Sequence, residues 1–458
     1  MNYADFIASK TRSHEASGID ADISGYDLLP HQRDLTRWAL RRGRAAIFAD
    51  TGLGKTRMEV VWGDVLHKRQ SVDTLILAPL AVAQQTVEEG AKIGVQVTHA
   101  RSQSDVRPGI NITNYDRLHL FAPARFGAIA LDESSCIKHH NAKTLQTLLD
   151  AFVRTPYKLC ATATPAPNDW TELGTHAEFL GVRSRVEMLA EFFVHDGAET
   201  QVWRLKGHAR DAFWRWVAHW GALVRSPADL GHDASLYALP PLSVHQHVIE
   251  PRHEPVAGLF HAEAQTLMER RNARRDSIVD RVADCAAIVN SSPGPWVIWC
   301  DLNAEGDALR AAIHGAVEIR GADDADEKER RLHDFAHGRI RVLVTKPSIA
   351  GWGLNWQHCA QMAFVGVTDS YEAYYQAVRR CWRFGQKREV SVHIFTSATE
   401  GAVLANLQRK EAAARSMSES LSSATLAAVR DEVLGMAREH DEYNPAQRLT
   451  LPAFLRAA

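Results

Sequence analysis

Short apolar runs of four to six residues, each followed by a stretch with apolar positions at helical spacing, recur in two long blocks of the chain. That alternation predicts parallel strands with flanking helices. In the first block, 29–182, the runs Ala45–Ala49, Thr74–Ala78, Ile110–Thr113, Ala128–Leu131 and Tyr157–Ala161 predict strands. In the second block, 245–413, the runs Trp296–Cys300, Val317–Ile319, Arg341–Val344, Met362–Val365 and Val390–Phe395 do the same. The stretch Asp324–His337 predicts one of the helices between them, with Leu332 and Phe335 facing a sheet and Arg330 and Arg331 facing water.

The remainder of the chain reads differently. An N-terminal extension covers 1–28, and residues 183–244 form a segment between the blocks that is predicted to be helical. Phe213, Trp216, Val217 and Trp220 recur there at helical spacing, which predicts a packing stripe. Pro240 and Pro241 make a stiff connector into the second block. The tail, 414–458, has a serine-rich start and then an amphipathic helix with Leu426, Val429 and Val433, expected to dock on a neighbouring block. This segment and the tail are the two places where a protein partner could bind.

Composition narrows the class. At 458 residues, 45% hydrophobic and 24% charged, the chain is ordinary globular protein and not a disordered or repetitive one. The 53 basic residues against 55 acidic ones leave a net charge of −2, so any grip on a polyanion must be local. Six scattered cysteines without a C-x-x-C pair predict neither a disulfide framework nor a zinc ribbon, but a reducing, cytoplasmic location. Cys136, Cys160 and Cys300 sit in or beside apolar runs and are expected to be buried fillers. No apolar run reaches the roughly 18–20 residues of a membrane span, and no signal peptide is visible.

The first block carries the clearest chemistry. Residues 47–56, Ile-Phe-Ala-Asp-Thr-Gly-Leu-Gly-Lys-Thr, are a strand, a tight loop and a helix start, close to the phosphate-binding pattern G-x-x-x-x-G-K-[ST] with Ala49 at the first glycine. Gly52 and Gly54 let backbone N–H groups converge on phosphate oxygens, Lys55 supplies positive charge, and the Thr56 hydroxyl is a ligand for Mg²⁺. The run 128–133, Ala-Ile-Ala-Leu-Asp-Glu, ends a strand in two carboxylates, with Asp132 suited to the Mg²⁺ shell and Glu133 to polarising a water. Together they predict an ATP-hydrolysing enzyme.

These residues resemble superfamily-2 helicases, and among them the Swi/Snf-type translocases of double-stranded DNA. Leu29-Pro30-His31-Gln32 looks like the adenine-reading segment, with Gln32 its glutamine. Asp132 to Lys138 is similar to D-E-x-x-x-I-K, Thr162-Ala163-Thr164-Pro165 with Asn168 to T-G-T-P-x-x-N, and Leu223-Val224-Arg225-Ser226 to the end of the inter-lobe segment. Ala350 to Asn355 resembles the glycine-rich motif of the second lobe, and 376–386 is similar to Q-A-x-x-R-x-x-R-x-G-Q, ending in Gln386 where RNA-type relatives usually carry arginine. Ala163, Trp352 and Trp382 depart from the family pattern.

The resemblance implies two tandem RecA-like lobes with ATP in the cleft between them. It implies Thr51 and Gly353 as further nucleotide contacts, and Arg380 and Arg383 as arginine fingers. It also implies nucleic-acid contacts at Pro79, Asn114, Lys138, Lys346 and Ser348. The small size resembles phage- or prophage-encoded members acting as monomers. An RNA helicase of the same fold, or a nucleotide-gated DNA-binding scaffold with little turnover, are the competing readings. His139 and His140 lack companions at metal-ligand spacing and are expected to be solvated.

Overall fold

The computed structural model describes residues 16–79, 82–137, 143–166, 169–195, 203–249, 274–350, 354–367, 370–398, 406, 409 and 426–435. The first lobe begins with β1 (Arg44–Ala49), β2 (Thr74–Ala78), β3 (Val97–His99), β4 (Ile110–Asn114), β5 (Ala128–Asp132) and β6 (Tyr157–Ala161). A small antiparallel hairpin follows, β7 (Phe193–His195) with β8 (Trp203–Leu205), and then β9 (Gly221–Val224). Seven of these form one parallel sheet in the order β3-β4-β2-β5-β6-β1-β9. The second lobe has β10 (Leu242–Ile249), β11 (Trp296–Trp299), β12 (Ala316–Glu318), β13 (Val342–Thr345), β14 (Gln361–Phe364) and β15 (Val390–Ser397), also all parallel, in the order β10-β15-β14-β11-β13-β12.

Parallel strands covered by helices on both faces carry apolar residues without alternation. This is why β2, β4 and β5 are buried along their whole length and why the short continuous runs marked them in the sequence. The two faces of the first sheet support separate cores. Ile47, Ile76 and Ala130 lie in one, and Phe48, Leu77 and Leu131 in the other. The helix Ala325–Ala336 starts on an Asp324 cap and buries Leu332 and Phe335, as the pattern predicts.

The segment between the blocks is not a separate helical unit. It contains the helices Arg185–Phe192 and Arg210–Ala218, the β7–β8 hairpin, and β9, which extends the first sheet beside β1 with Ala46 opposite Gly221 and Phe48 opposite Leu223. Phe213, Val217 and Trp220 are fully buried in the same core as Phe48 and Leu131, while Trp216 packs at its edge. A nine-residue amphipathic helix has too little of its own to bury, so it takes the open face of the first lobe. The second lobe likewise starts earlier than its apolar runs suggest, at Leu242. The Pro240 carbonyl accepts from Trp382 Nε1 at 2.8 Å, which fixes the connector onto that lobe.

Described residues from the N-terminal extension and from the tail contribute to lobe one. Ala21, Ile23 and Leu28 from the N-terminal stretch and Ala428, Val429 and Val433 from the helical stretch 426–434 join one core with Trp38 and Leu40. The tail is further held by Arg41, which donates to the Val433 carbonyl at 3.1 Å, and by the Arg42–Glu432 ion pair. No helix among the described residues is long and apolar enough to cross a membrane.

Candidate active site

The loop between β1 and the helix Lys55–Gln70 has the turn that its glycines allow. Gly52 and Gly54 have φ of +93° and +86°. A Cβ on Gly54 would lie 2.1 Å from the Gln32 amide nitrogen, and one on Gly52 would lie 2.8 Å from Cβ of Phe384, a residue of the other lobe. No side chain fits either position. Lys55 Nζ donates to the Ala49 and Asp50 carbonyls at 2.8 and 3.4 Å, so the ammonium sits on the loop it must serve. Removal from water lowers its pKa, opposed by Glu133, Asp132 and Asp50. Thr51 donates its backbone N–H to Asp50 Oδ1 at 2.6 Å, and Thr56 lies half-buried in the first turn of the helix.

Gln32 is buried and already engaged. Its amide nitrogen donates to the Leu53 carbonyl at 3.0 Å and its oxygen accepts from Leu29 N–H at 3.1 Å, so it braces the loop from below. His31 Nε2 lies 3.2 Å from the same Leu53 carbonyl and 3.3 Å from the Tyr237 hydroxyl. The Tyr237 ring stacks on Phe384 at 4.5 Å.

The paired carboxylates stand at the carboxyl end of β5, and both are buried. Glu133 has φ +52°, one of two non-glycine residues in the left-handed region among the described residues. That strain costs about 1–3 kcal/mol and aims the side chain off the strand. Glu133 N–H donates to Asp132 Oδ1 at 2.9 Å, and Tyr115 donates its hydroxyl to the Asp132 carbonyl at 2.8 Å. Burial, with Glu133 beside it, pushes the Asp132 carboxyl up to about 7. Glu133 Oε2 is buried without a hydrogen-bond partner. Ser134 Oγ is 3.1 Å from Nε2 of His176, which burial pushes down to about 4.

The second lobe closes over this edge with the helix Tyr371–Val378 and the turn after it. Arg380 is 1% exposed. It is pinned by the Gln376 carbonyl (2.9 Å), the Leu354 carbonyl (3.1 Å) and Gln376 Oε1 (2.9 Å), with a guanidinium nitrogen 4.0 Å from Glu133 Oε1. Arg383 donates to the Leu354 carbonyl at 3.0 Å and keeps a buried Nε without a partner. Burial, with Arg380 beside it, lowers its pKa to about 9. Gln376 Nε2 also crosses to Thr164 Oγ1 at 3.3 Å.

Three residues that pattern reading did not assign complete the contact. Arg379 donates to Asp50 Oδ2 at 2.6 Å, Tyr375 donates its hydroxyl to Asp50 Oδ1 at 3.1 Å, and Arg379 Nε meets the Tyr375 hydroxyl at 3.1 Å. The signal was present as an i, i+4 pair on one helix face, one residue ahead of Arg380. Its partner, an acid inside the phosphate loop, could be recognised only in three dimensions. Glu59 was also missed: it is buried beneath the loop with both oxygens unpartnered, and burial, reinforced by Asp132, holds its carboxyl well above the usual range.

The remaining expected residues divide. Pro79 follows β2 and Lys346 and Ser348 follow β13, at the carboxyl edges of the two sheets. Asn114 is buried and its Oδ1 accepts from the Arg117 N–H at 3.0 Å, a local cap at the end of β4. Gln386 is also turned inward, donating to the Cys359 and Cys381 carbonyls at 3.0 and 3.3 Å and accepting from Lys387 and Arg388 N–H. It shapes the turn and does not face the cleft. Lys138, His139, His140, Asn168, Trp352 and Gly353 lie outside the described residues. Cys160 and Cys300 are buried as expected, whereas Cys136 is exposed on the 3₁₀ turn after the acids.

Comparison with known proteins agrees with this arrangement. Residues 31–206 match the SNF2-related domain and residues 284–385 match the helicase conserved C-terminal domain. A stretch of 96 residues, 21% of the chain, is 29% identical to the bifunctional helicase and thymine dioxygenase JBP2 of Leishmania braziliensis, and 27% identical to that of Leishmania tarentolae. The match spans 9% of the length of these relatives. Among solved structures, S. cerevisiae Dbp5 bound to RNA and ADP BeF3 superposes with a TM-score of 0.54 over 87% of this chain and 98% of that one, at 12% identity, a likeness of fold. Two RecA-like lobes carrying these two domain matches in this order give the chain the domain architecture of superfamily-2 helicases.

Proposed function

We propose that the chain is a motor on double-stranded DNA, hydrolysing ATP where lobe two covers the phosphate loop of lobe one. The observation that carries this reading is the approach of Arg380, across the lobe boundary, to 4.0 Å from Glu133, a carboxylate that also acts on Lys55. Lys55 leaves the Ala49 and Asp50 carbonyls to neutralise phosphate oxygens at the N-terminus of the helix Lys55–Gln70, whose partial positive charge favours an anion. Thr56 and Asp132 offer hard oxygen donors beside a buried, orphaned carboxylate oxygen of Glu133, a donor set that fits Mg²⁺. When bound, Mg²⁺ neutralises the charge that builds on the phosphate oxygens. Glu133 orients and deprotonates the attacking water. Arg380 and Arg383 meet the charge spreading over the transferred group, and both depend on closure of the lobes. Gln376, bonded to Thr164, links the hydrolysis site to the lobe that moves.

The SNF2-related match over lobe one supports duplex DNA as the track. Lys346 and Ser348 on lobe two and Pro79 on lobe one would follow its phosphates, contacts that carry little sequence information. A second reading, RNA as the track, is favoured by the likeness to an RNA-bound helicase. ATP turnover measured with duplex DNA, single-stranded DNA and RNA separates the two, and triplex displacement tests movement along a duplex. Stimulation by RNA alone would replace the first reading with the second.

A further inference from the structure

The lobes also meet away from the nucleotide cleft. The lobe-two helix Ala325–Ala336 lies against lobe one, where Asp326 faces Arg101 at 3.2 Å and Arg117 at 3.6 Å, and Glu329 is 3.7 Å from His99 Nδ1. Toward the C-terminal end of this helix the chemistry changes from ion pairs to metal-type donors. His333 Nε2 is 3.0 Å from Oε1 of Glu88, on the lobe-one helix Ala83–Lys92. His337 follows one turn later, its ring centroid 4.0 Å from that of His333. One donor atom from each of Glu88, His333 and His337 lies within 4.8 Å of the other two.

We propose that Glu88, His333 and His337 form a binding site for a borderline transition-metal dication of the Zn²⁺ class, bridging the two lobes. Two histidines at i and i+4 on one helix face present their rings to a common point. Tetrahedral ligands about 2.0–2.2 Å from a metal stand roughly 3.3–3.5 Å apart, a spacing these donors reach by side-chain rotation. The His337 tautomer is already set: Nδ1 donates to the His333 carbonyl at 2.9 Å, which leaves the Nε2 lone pair free, as in metal-ligating histidines generally.

His333 needs one adjustment. Its Nδ1 accepts from Arg339 at 2.9 Å, so Nε2 carries the proton that it donates to Glu88. On binding the metal, that Nε2 proton goes to solvent and the ring is reprotonated at Nδ1. The Arg339 guanidinium, 54% exposed, then turns to Asp334, which already accepts from its Nε at 2.7 Å. Imidazole donors exclude Mg²⁺ in favour of Zn²⁺-class ions, so this site is chemically separate from the one beside the phosphate loop. Since its ligands come from both lobes, bound metal stabilises the closed pair in proportion to its occupancy. Its effect on turnover rests on the motor reading above; the binding itself does not.

The test is titration of the full chain, without nucleotide, using Co²⁺ followed by its visible ligand-field absorption and Zn²⁺ followed by calorimetry. The wild type should bind one more equivalent than His337→Ala and Glu88→Ala, or bind it at least about tenfold more tightly. Arg339→Ala should keep that equivalent. Occupancy by Zn²⁺ should slow nucleic-acid-stimulated ATP turnover in the wild type and leave His337→Ala unaffected. Equal stoichiometry and affinity in the wild type and both ligand variants would overturn the site, assigning the metal elsewhere, such as to the neighbouring His247 and His393 on β10 and β15. Turnover unchanged by bound Zn²⁺ would overturn the bridge. A wild type with no ATP turnover at all would refute the motor reading and leave the titration intact.

Discussion

Arg379→Ala should loosen the closed lobes through a single ion pair. The Arg379 guanidinium is 2.6 Å from Asp50 Oδ2, with side chains 8% and 27% exposed. Burial works against the arginine's charge, and Asp50 and Tyr375 more than compensate, so its pKa is raised. At an effective dielectric of 20, two charges about 4 Å apart attract by about 4 kcal/mol. Desolvation cancels a large part of that, and close pairs across interfaces retain a coupling of about 1.5 kcal/mol or more. A coupling of about 1.5–3 kcal/mol shifts the closed-to-open ratio by roughly 10- to 150-fold. The assay is a double-mutant cycle with Arg379→Ala and Asp50→Asn on kcat/KM for ATP, alongside fluorescence energy transfer between dyes on the two lobes. Asp50→Asn retains an Oδ1 for the Thr51 N–H, so the loop turn survives while the charge is lost. Additivity of the two substitutions within about 0.3–0.5 kcal/mol, with unchanged energy transfer, would refute the reasoning.

Other expected outcomes follow the same geometry. Lys55→Ala should abolish ATP turnover, and Glu133→Gln should bind ATP and fail to hydrolyse it, as read by equilibrium binding beside a phosphate-release assay; a normal rate in Glu133→Gln would remove that residue from the chemistry. Phe213→Ala should cost about 3–5 kcal/mol in chemical denaturation, because the ring is buried in the lobe-one core, and a loss below about 1 kcal/mol would mean the segment packs separately. His176 is held neutral, its pKa lowered by burial from 6.5 to about 4, so the stability it contributes is complete above pH 6.5 and is lost as pH falls toward 4, about 3 kcal/mol at most. His176→Gln should therefore lose stability less steeply than the wild type across that window, and parallel curves would refute the assignment.

Those parts of the fold built from continuous apolar runs were legible in the sequence, because a strand covered on both faces carries no polar position to interrupt it. β3, β9 and β10 were not: β3 is three residues long, β9 follows an amphipathic helix, and six of the eight β10 positions are histidine, glutamine, serine or the exposed Val244 and Val248. The phosphate loop and acidic pair were legible because their chemistry is local to one strand-loop turn. Asp50 with Arg379 and Glu88 with His333 were not, since each pair is joined only when the lobes meet. Nor were the resting partners of Gln32 and Asn114 legible. The resemblance implied contacts with nucleotide and nucleic acid, and in this structure the Leu53 carbonyl accepts from Gln32 and the Arg117 N–H donates to Asn114, partners that only the fold brings within reach.

The most direct measurement is steady-state, nucleic-acid-stimulated ATP hydrolysis by Arg383→Ala, paired with its ATP affinity. A guanidinium supplied from lobe two to the transferred phosphoryl group predicts a fall in turnover of about 10³-fold or more, with affinity within about threefold of the wild type. Turnover at the wild-type rate, or loss of ATP binding in place of turnover, would contradict it.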